Sequence, residues 1–204
     1  MANIPYPSPE SLSAETSDVL VKLGSLNVTR MMAHSTPVLD GYSRFGLKLL
    51  RKGRLDPVIR ELVILRVGVL CQCPYEWHQH EGLARAMGAK EAAIEAVRAG
   101  GTEAMSEVEQ RAVAFADDIC GDGVVSRDTL TRAQVHFSPE ELVELTLVCG
   151  YYLMTAAFLK TFDIEIEDTP PLGATIAAQM LRAGRQPAAQ LSPTDPRDKS
   201  ALDV

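Results

Sequence analysis

Apolar residues recur at helical spacing along most of the chain, and the segments they define are bounded by recognisable start and stop residues. Ser25 precedes an apolar-periodic stretch over 26–34, and Thr36-Pro37 opens a second that closes at Gly53. Asp56-Pro57 sets a capping carboxylate before a proline at the first helical position, where the missing N–H costs nothing. The run 58–71 that follows carries Ile59, Leu62, Val63, Leu65, Val67, Val69 and Leu70. It is apolar nearly all round, which predicts a helix buried on most sides. Pro74 starts the next helix, over 75–87, with Gly88 in the C′ position. A short helix over 89–99 stops at Gly100-Gly101. Ser106 with Glu109, and Ser138 with Glu141, have capping-box spacing and predict helices over 107–119 and 139–161, the second of them long; Ser126 caps one more over 127–136. The fold class these signals predict is all-α.

Outside those segments the pattern changes. Pro and Ser punctuate the first ten residues, so 1–16 reads as a loose arm. Residues 163–168 alternate Ile with acidic side chains, as a strand would, but no second strand is visible to pair with it. From Thr169 onward Pro, Ser, Asp and Gln dominate. The organisation expected is an arm (1–16), a helical domain (17–165) and a tail (166–204) that is flexible or wraps a neighbouring subunit, with a short helix over 174–183.

Composition narrows the function classes. The 204 residues are 46% hydrophobic and 23% charged, which is ordinary for a globular domain. Twenty Lys and Arg against 27 Asp and Glu give a net charge of -7 with no basic stripe, so nucleic-acid binding is excluded. Residues 1–15 lack the basic and apolar regions of a signal peptide. The most apolar uncharged run, 145–159, falls short of the roughly 20 residues needed to span a bilayer. Four cysteines show no secreted disulfide framework. The expectation is a cytoplasmic protein with no membrane partner.

One stretch concentrates chemistry. Between Cys71 and His80 lie two of the four cysteines, two of the four histidines and the single tryptophan. On a helix beginning near Pro74, Glu76 and His80 are four apart and share a face, with Cys73 at its mouth. His78 is rotated roughly 160° from His80 and faces elsewhere. Glu61, from the preceding helix, is available as a third carboxylate. Such a group suits proton transfer, because a carboxylate in an apolar pocket rises toward neutrality while a positive helix end opposes that rise. The plain alternative is an i,i+4 pair on a half-exposed face. Zinc must be weighed, since Cys73, Glu76 and His80 share a face, but Cys71-x-Cys73 is not a zinc knuckle and no second Cys/His cluster follows; the expectation is no metal. Residues two apart at a helix end point to different sides, so a Cys71–Cys73 disulfide is not expected, and Cys120 and Cys149 read as buried thiols. His34 and His136 read as structural. Arg66, inside the apolar helix, requires a partner, and the buried hydroxyls of Tyr151 and Tyr152 require acceptors.

These residues also carry a resemblance. The run Arg60-Glu-Leu-Val-Ile-Leu-Arg-Val-Gly-Val, then Cys73-Pro-Tyr-Glu-Trp-His-Gln-His80, then Ala84-x-x-x-Gly88, with Phe115-Ala-Asp, Glu141-Leu-Val-Glu-Leu and Gly150-Tyr-Tyr, resembles the carboxymuconolactone decarboxylase family. That family includes the alkyl hydroperoxidase D (AhpD)-like proteins, and the likeness is to a subgroup with a Tyr-Glu-Trp-x-x-His motif over residues 20–165. It implies an AhpD-like bundle of orthogonal and antiparallel helices with a long C-terminal helix, assembled as a dimer, trimer or hexamer. In the peroxidase branch Glu61, Cys73 and His80 match the glutamate, first cysteine and histidine, but Glu76 stands where the second cysteine belongs, so a resolving thiol is missing. The decarboxylase branch needs neither thiol nor cofactor. The resemblance therefore implies a cofactor-free acid–base enzyme for a small carboxylated lactone, with Glu76, His80 and Glu61 in proton transfer. Arg60, Arg66, Tyr75, Trp77 and Tyr152 are its candidates for holding the substrate. The alternatives are an antioxidant protein using Cys73, and a non-catalytic or metal-binding member.

Overall fold

The computed structural model describes residues 2–171. In chain order the helices are α1 (Ala14–Lys22), α2 (Asn27–Met32), α3 (Thr36–Arg51), α4 (Pro57–Leu70), α5 (Pro74–Met87), α6 (Glu91–Ala99), α7 (Glu107–Asp122), α8 (Arg127–Ala133) and α9 (Pro139–Thr161), with no strand among the described residues. The caps follow the sequence signals. Asp56 accepts from the backbone N–H groups of Val58 and Ile59, and the Ser106/Glu109 and Ser138/Glu141 capping boxes are both formed.

Helix α4 is the axis of the bundle: Ile59 to Gly68 are all buried, enclosed by α5, α6, α7 and α9. Two apolar clusters meet on it. Ile64 and Val67 pack with Phe115, Leu145 and Val148, while Leu62 and Leu65 pack with Ile94, Val97 and Val113. Helix α9 is long and apolar enough to cross a bilayer by length and composition, but Leu145, Val148, Cys149 and Tyr152 are buried in the bundle. Its opposite face leaves Val143, Leu147 and Met154 exposed.

Residues 3–16 and 163–168 are more ordered than their composition implied. The expected loose arm contains the start of α1, capped by Ser13, and its earlier residues are tied to the body. Asn3 N–H donates to Phe162 O at 2.8 Å, Pro5 O lies 2.9 Å from His34 Nε2, and Arg30 stacks on Tyr6. Likewise, residues 163–168 form no strand. The chain leaves α9 through a left-handed turn at Asp163, where Ile164 N–H reaches Leu159 O. Ile164 then enters the core, and Glu167 accepts from Asn27 N–H, the Tyr75 hydroxyl and Gln79 Nε2. The alternation thus reflects an extended strap with one apolar side. The expected helix over 174–183 lies outside the described residues.

Gly46 is the point of closest approach between α3 and α9. A Cβ there would lie 2.3 Å from the Tyr151 hydroxyl, and that ring is stacked on Tyr42 at 4.6 Å. Gly41, on the same helix, faces open space. In denaturant titrations Gly46→Ala is expected to cost about 1–3 kcal/mol through overpacking, whereas Gly41→Ala stabilises by about 0.5–1 kcal/mol.

Candidate functional site

The turn between α4 and α5 sets up the site. Helix α4 ends at Cys71, and Gln72 takes the left-handed conformation (φ 50°) that glycine usually supplies. Gln72 N–H bonds to Val69 O and Cys73 N–H to Gly68 O, the paired bonds of a Schellman motif. The chain reverses at once, and α5 runs back against α4. Gly68 lets the two helices close: a Cβ there would lie 3.4 Å from that of Glu76.

This packing unites the residues that spacing alone had grouped. Glu61 on α4 is fully buried, and its Oε2 lies 2.8 Å from His80 Nδ1 on α5. The other oxygen of Glu61 accepts from Arg60 Nε and Nη2, both at 3.2 Å. On the far side of the imidazole, His80 Nε2 is 3.6 Å from Glu76 Oε2, an ion-pair distance rather than a hydrogen bond. Since a carboxylate can only accept, neutral His80 carries its proton on Nδ1 and presents Nε2 to Glu76. Tyr152 from α9 stands edge-on to the imidazole with centroids 4.9 Å apart. Tyr42, from α3, bonds to Thr155 at 2.9 Å, and the Glu76 charge helps burial push its phenol up to about 12.

Burial governs the titration of the cluster. Glu76 is raised to about 7, first by desolvation; the His80 charge opposes the rise, and Cys71 and Glu61 add to it. For His80, burial alone would lower the pKa, but the charge and hydrogen bond of Glu61 and the charge of Glu76 outweigh it and the net shift is upward. Both shifts favour the protonated forms, and the two groups titrate as a coupled pair. The positive end of α5 does not prevail over desolvation at Glu76.

Other expected site residues are placed differently. Arg60 is committed to Glu61, and Arg66 Nε bonds to Asp117 Oδ1 on α7 at 2.6 Å, so both expected substrate cations serve internal charge pairs. Tyr75 turns its hydroxyl to Glu167 and Val28 N–H, away from the cluster. Cys73 is buried, and desolvation raises its thiol pKa. Among the described residues no three His, Cys, Asp or Glu side chains are grouped to hold a metal ion. His34 and His136 make peripheral contacts with Pro5 and Glu107.

A cavity of about 390 Å³ opens beside the α4–α5 turn, with Gly68, Gln72, Cys73, Trp77 and Arg98 in its wall. It is not the acid–base cluster itself, since Glu61, Glu76 and His80 do not line it; Cys73 and Gly68 stand between the two. Arg98 from α6 stacks on Trp77 at 4.4 Å and bonds to Glu81, and the buried Trp77 Nε1 has no partner among the described residues. Arg98 and Tyr42 were not expected here. Each comes from a separate helix, and the only local signal was the buried stripe Leu39, Ser43, Gly46 and Leu49 adjoining Tyr42.

The comparisons with known proteins agree with this architecture. A family model, that of the carboxymuconolactone decarboxylase family, matches residues 36–118. An uncharacterized peroxidase-related protein from Ralstonia eutropha JMP134, described as an alkylhydroperoxidase AhpD core, superposes with a TM-score of 0.71 at 16% identity, covering 82% of this chain and 93% of that one. A second peroxidase-related protein, from Silicibacter sp. TM1040, gives 0.70 at 16%, covering 81% and 91%. The debrominase Bmp8, in complex with 2,3,4-tribromopyrrole, gives 0.70 at 11%, covering 89% and 100%. These likenesses establish a shared fold. No curated protein sequence matches the chain.

The Glu76 carboxyl gives stability a pH dependence of definite sign. The fold holds its proton up to about 7, whereas the ordinary value is 4.5. The resulting stabilisation is complete below pH 4.5 and is lost as pH rises to about 7; His80, also raised, acts in the same direction above its ordinary 6.5. Denaturation at pH 5 and pH 8 is expected to differ by on the order of 3 kcal/mol for the Glu76 contribution. Glu76→Gln, neutral at every pH, narrows that gap.

Proposed function

We propose that the protein, whose residues 36–118 match the model of the carboxymuconolactone decarboxylase family within an AhpD-like helical bundle, is a cofactor-free acid–base enzyme. Its substrate would be a small carboxylated lactone or a related product of aromatic-ring breakdown. The observation that carries this reading is the buried relay Glu61–His80–Glu76, with Glu76 raised to about 7. A proton donor for carbon must be neutral at working pH yet able to recover its proton, and a carboxyl at that value meets both needs.

In the proposed reaction the bond to the substrate's carboxylate carbon breaks and carbon dioxide leaves. The electron pair moves into the adjoining unsaturated carbonyl system. Glu76 then gives its proton to carbon and recovers one through His80, whose ring Glu61 holds in register. Arg60 holds Glu61 in place, so it acts through Glu61 as a positioning residue. The cavity beside Cys73 is the proposed approach to the cluster, where the half-exposed Arg98 is suited to a carboxylate. The reading includes a homo-oligomeric state and a cytoplasmic setting, both following from the family resemblance and from composition.

Thiol chemistry at Cys73 is the second reading, favoured by the sulfur's place in the cavity wall. Against it stand the upward shift of that thiol and Glu76 in the position of a resolving cysteine. The fold neighbours carry both peroxidase-related and debrominase names, so architecture does not choose between the two.

Carbon dioxide release from a panel of carboxylated lactones decides the matter. Glu76→Gln and His80→Ala are each expected to lose about 10²–10⁴-fold in kcat with helicity and oligomeric state unchanged. Arg98→Met raises KM with a smaller change in kcat, and Cys73→Ser costs less than about tenfold, well below the loss expected of a nucleophile. Full loss in Cys73→Ser with activity retained in Glu76→Gln would reverse the assignment.

A further inference from the structure

The chain is acidic overall, but its positive charge is unevenly spread. Arg44, Lys48, Arg51, Lys52 and Arg54 crowd the second half of α3 and the loop that follows it, and all of them are exposed. Arginines elsewhere on the surface, such as Arg85, Arg98 and Arg132, are held by carboxylates. In this cluster Arg44 is held by Asp40, and Arg54 approaches Glu140 only to 3.8 Å. Lys48, Arg51 and Lys52 have no carboxylate partner among the described residues. Arg44, Lys48, Arg51 and Lys52 share an arc of roughly 100° on the helix, turned away from the buried Leu39, Ser43 and Gly46.

Exposed apolar side chains adjoin these cations. Val38 and Phe45 lie on the flank of α3 that turns toward α9, and Phe45 meets the Tyr151 ring edge-on at 5.6 Å. Leu147 and Met154, one turn to either side of Tyr151, are exposed as well, and α9 carries no charge from 145 to 159. The two helices run antiparallel, with Tyr42 bonded to Thr155 and Arg54 N–H to Glu144, which sets the apolar strip alongside Lys48 and Lys52. We propose that this face, the outer sides of α3 and α9 together, docks peripherally on an anionic lipid bilayer. The cations meet the headgroup phosphates, and Val38, Phe45, Leu147 and Met154 enter the boundary with the acyl chains.

Charge complementarity selects the partner. Unpaired ammonium and guanidinium groups beside exposed apolar side chains match a surface that offers negative charge and hydrocarbon together. A second copy laid face to face would bring the same cations to this surface, and like charges disfavour that contact. No wall shapes a groove for a peptide: a Cβ on Gly41 or on Gly150 would meet nothing within 4 Å. The contact is peripheral, because the inner face of α9 is buried in the bundle. It departs from the expectation of no membrane partner, which rested on span length and net charge and not on where charge collects. Docking leaves the cavity open, since the cavity lies where α4 meets α5 and the basic cluster lies at the other end of α4, about 20 Å along the helix. No residue of the relay or of the cavity takes part, so this inference stands or falls separately from the acid–base reading.

The test sediments the full-length protein with vesicles of phosphatidylcholine alone and of phosphatidylcholine mixed with phosphatidylglycerol. Binding is expected to the mixed vesicles only, falling more than about tenfold as salt rises from about 0.05 to about 0.5 M. Each cation at an anionic surface contributes about fivefold, so Lys48→Gln, Arg51→Gln and Lys52→Gln combined lose roughly 100-fold. The same charge removed from exposed sites elsewhere, by Lys22→Gln, Lys90→Gln and Arg127→Gln, costs less than about fivefold. Leu147→Gln with Met154→Gln weakens binding about tenfold. Thermal melts of all these variants match the parent's, because the altered side chains are exposed. Failure to bind the mixed vesicles, equal binding to phosphatidylcholine alone, or undiminished binding by the α3 triple variant would each overturn the proposal. So would capture by polyglutamate without capture by vesicles, which assigns the face to an acidic protein, or a dimer that the α9 double variant dissociates, which assigns it to a second copy.

Discussion

A carboxylate with no contact to water lies between two helices of this bundle, and the rest of the architecture answers to its cost. An isolated buried charge is prohibitive, so Glu61 must be surrounded by donors. Arg60 supplies two of them from the same helix and His80 supplies a third from α5. Those bonds fix how α5 lies on α4, and Gly68 provides the space for it. With the helices in that register Glu76 is carried into the same dry region, next to His80 but short of a hydrogen bond to it. The burial that makes Glu76 costly to ionise also gives it a proton to transfer near neutral pH.

The turn that joins these helices separates two kinds of chemistry. A left-handed residue at Gln72 reverses the chain within a few bonds, so cysteines two positions apart end in different environments. Cys73 enters an apolar wall and becomes harder to ionise, while the carbonyl of Cys71 accepts from Lys160 Nζ at 2.7 Å. Reactivity here follows the environment of each sulfur and not its proximity to a motif. At that corner of the AhpD-like fold, this chain places Glu76 and not a second cysteine beside His80.

The bundle is closed from outside by residues near the N-terminus and by the strap 163–168 that follows α9. Glu167 brings one carboxylate to the start of α2 and to two side chains of α5, including Tyr75. Tyr6 bonds to Glu165 on the same strap at 3.1 Å. These contacts hold α2 and the outer face of α5 in place while the inner face of α5 carries the relay. Tyr75 and His80 therefore lie on one helix with separate partners, Glu167 on its outer face and Glu61 on its inner face.

Local chemistry in the sequence sufficed for the helices that carry their own caps. Asp56-Pro57, Ser106 with Glu109 and Ser138 with Glu141 act within one turn, so their meaning does not depend on distant residues. Four-residue spacing likewise placed Glu76 and His80 on one face, and Glu61 was legible as a third member from the family motif. What remained hidden depended on partners far apart in the chain. Arg66 declared a need for a counter-charge but not that Asp117, on α7, would meet it. Glu167 caps α2 from 140 residues away, which leaves no local trace, so the strap read as an orphan strand. The approach of Arg98 to Trp77 arises only when α6 packs against α4 and α5. Periodicity and capping are properties of a single segment and are written in it; desolvation, ion pairing and ring contacts depend on residues far apart in the chain, and only tertiary structure brings them together.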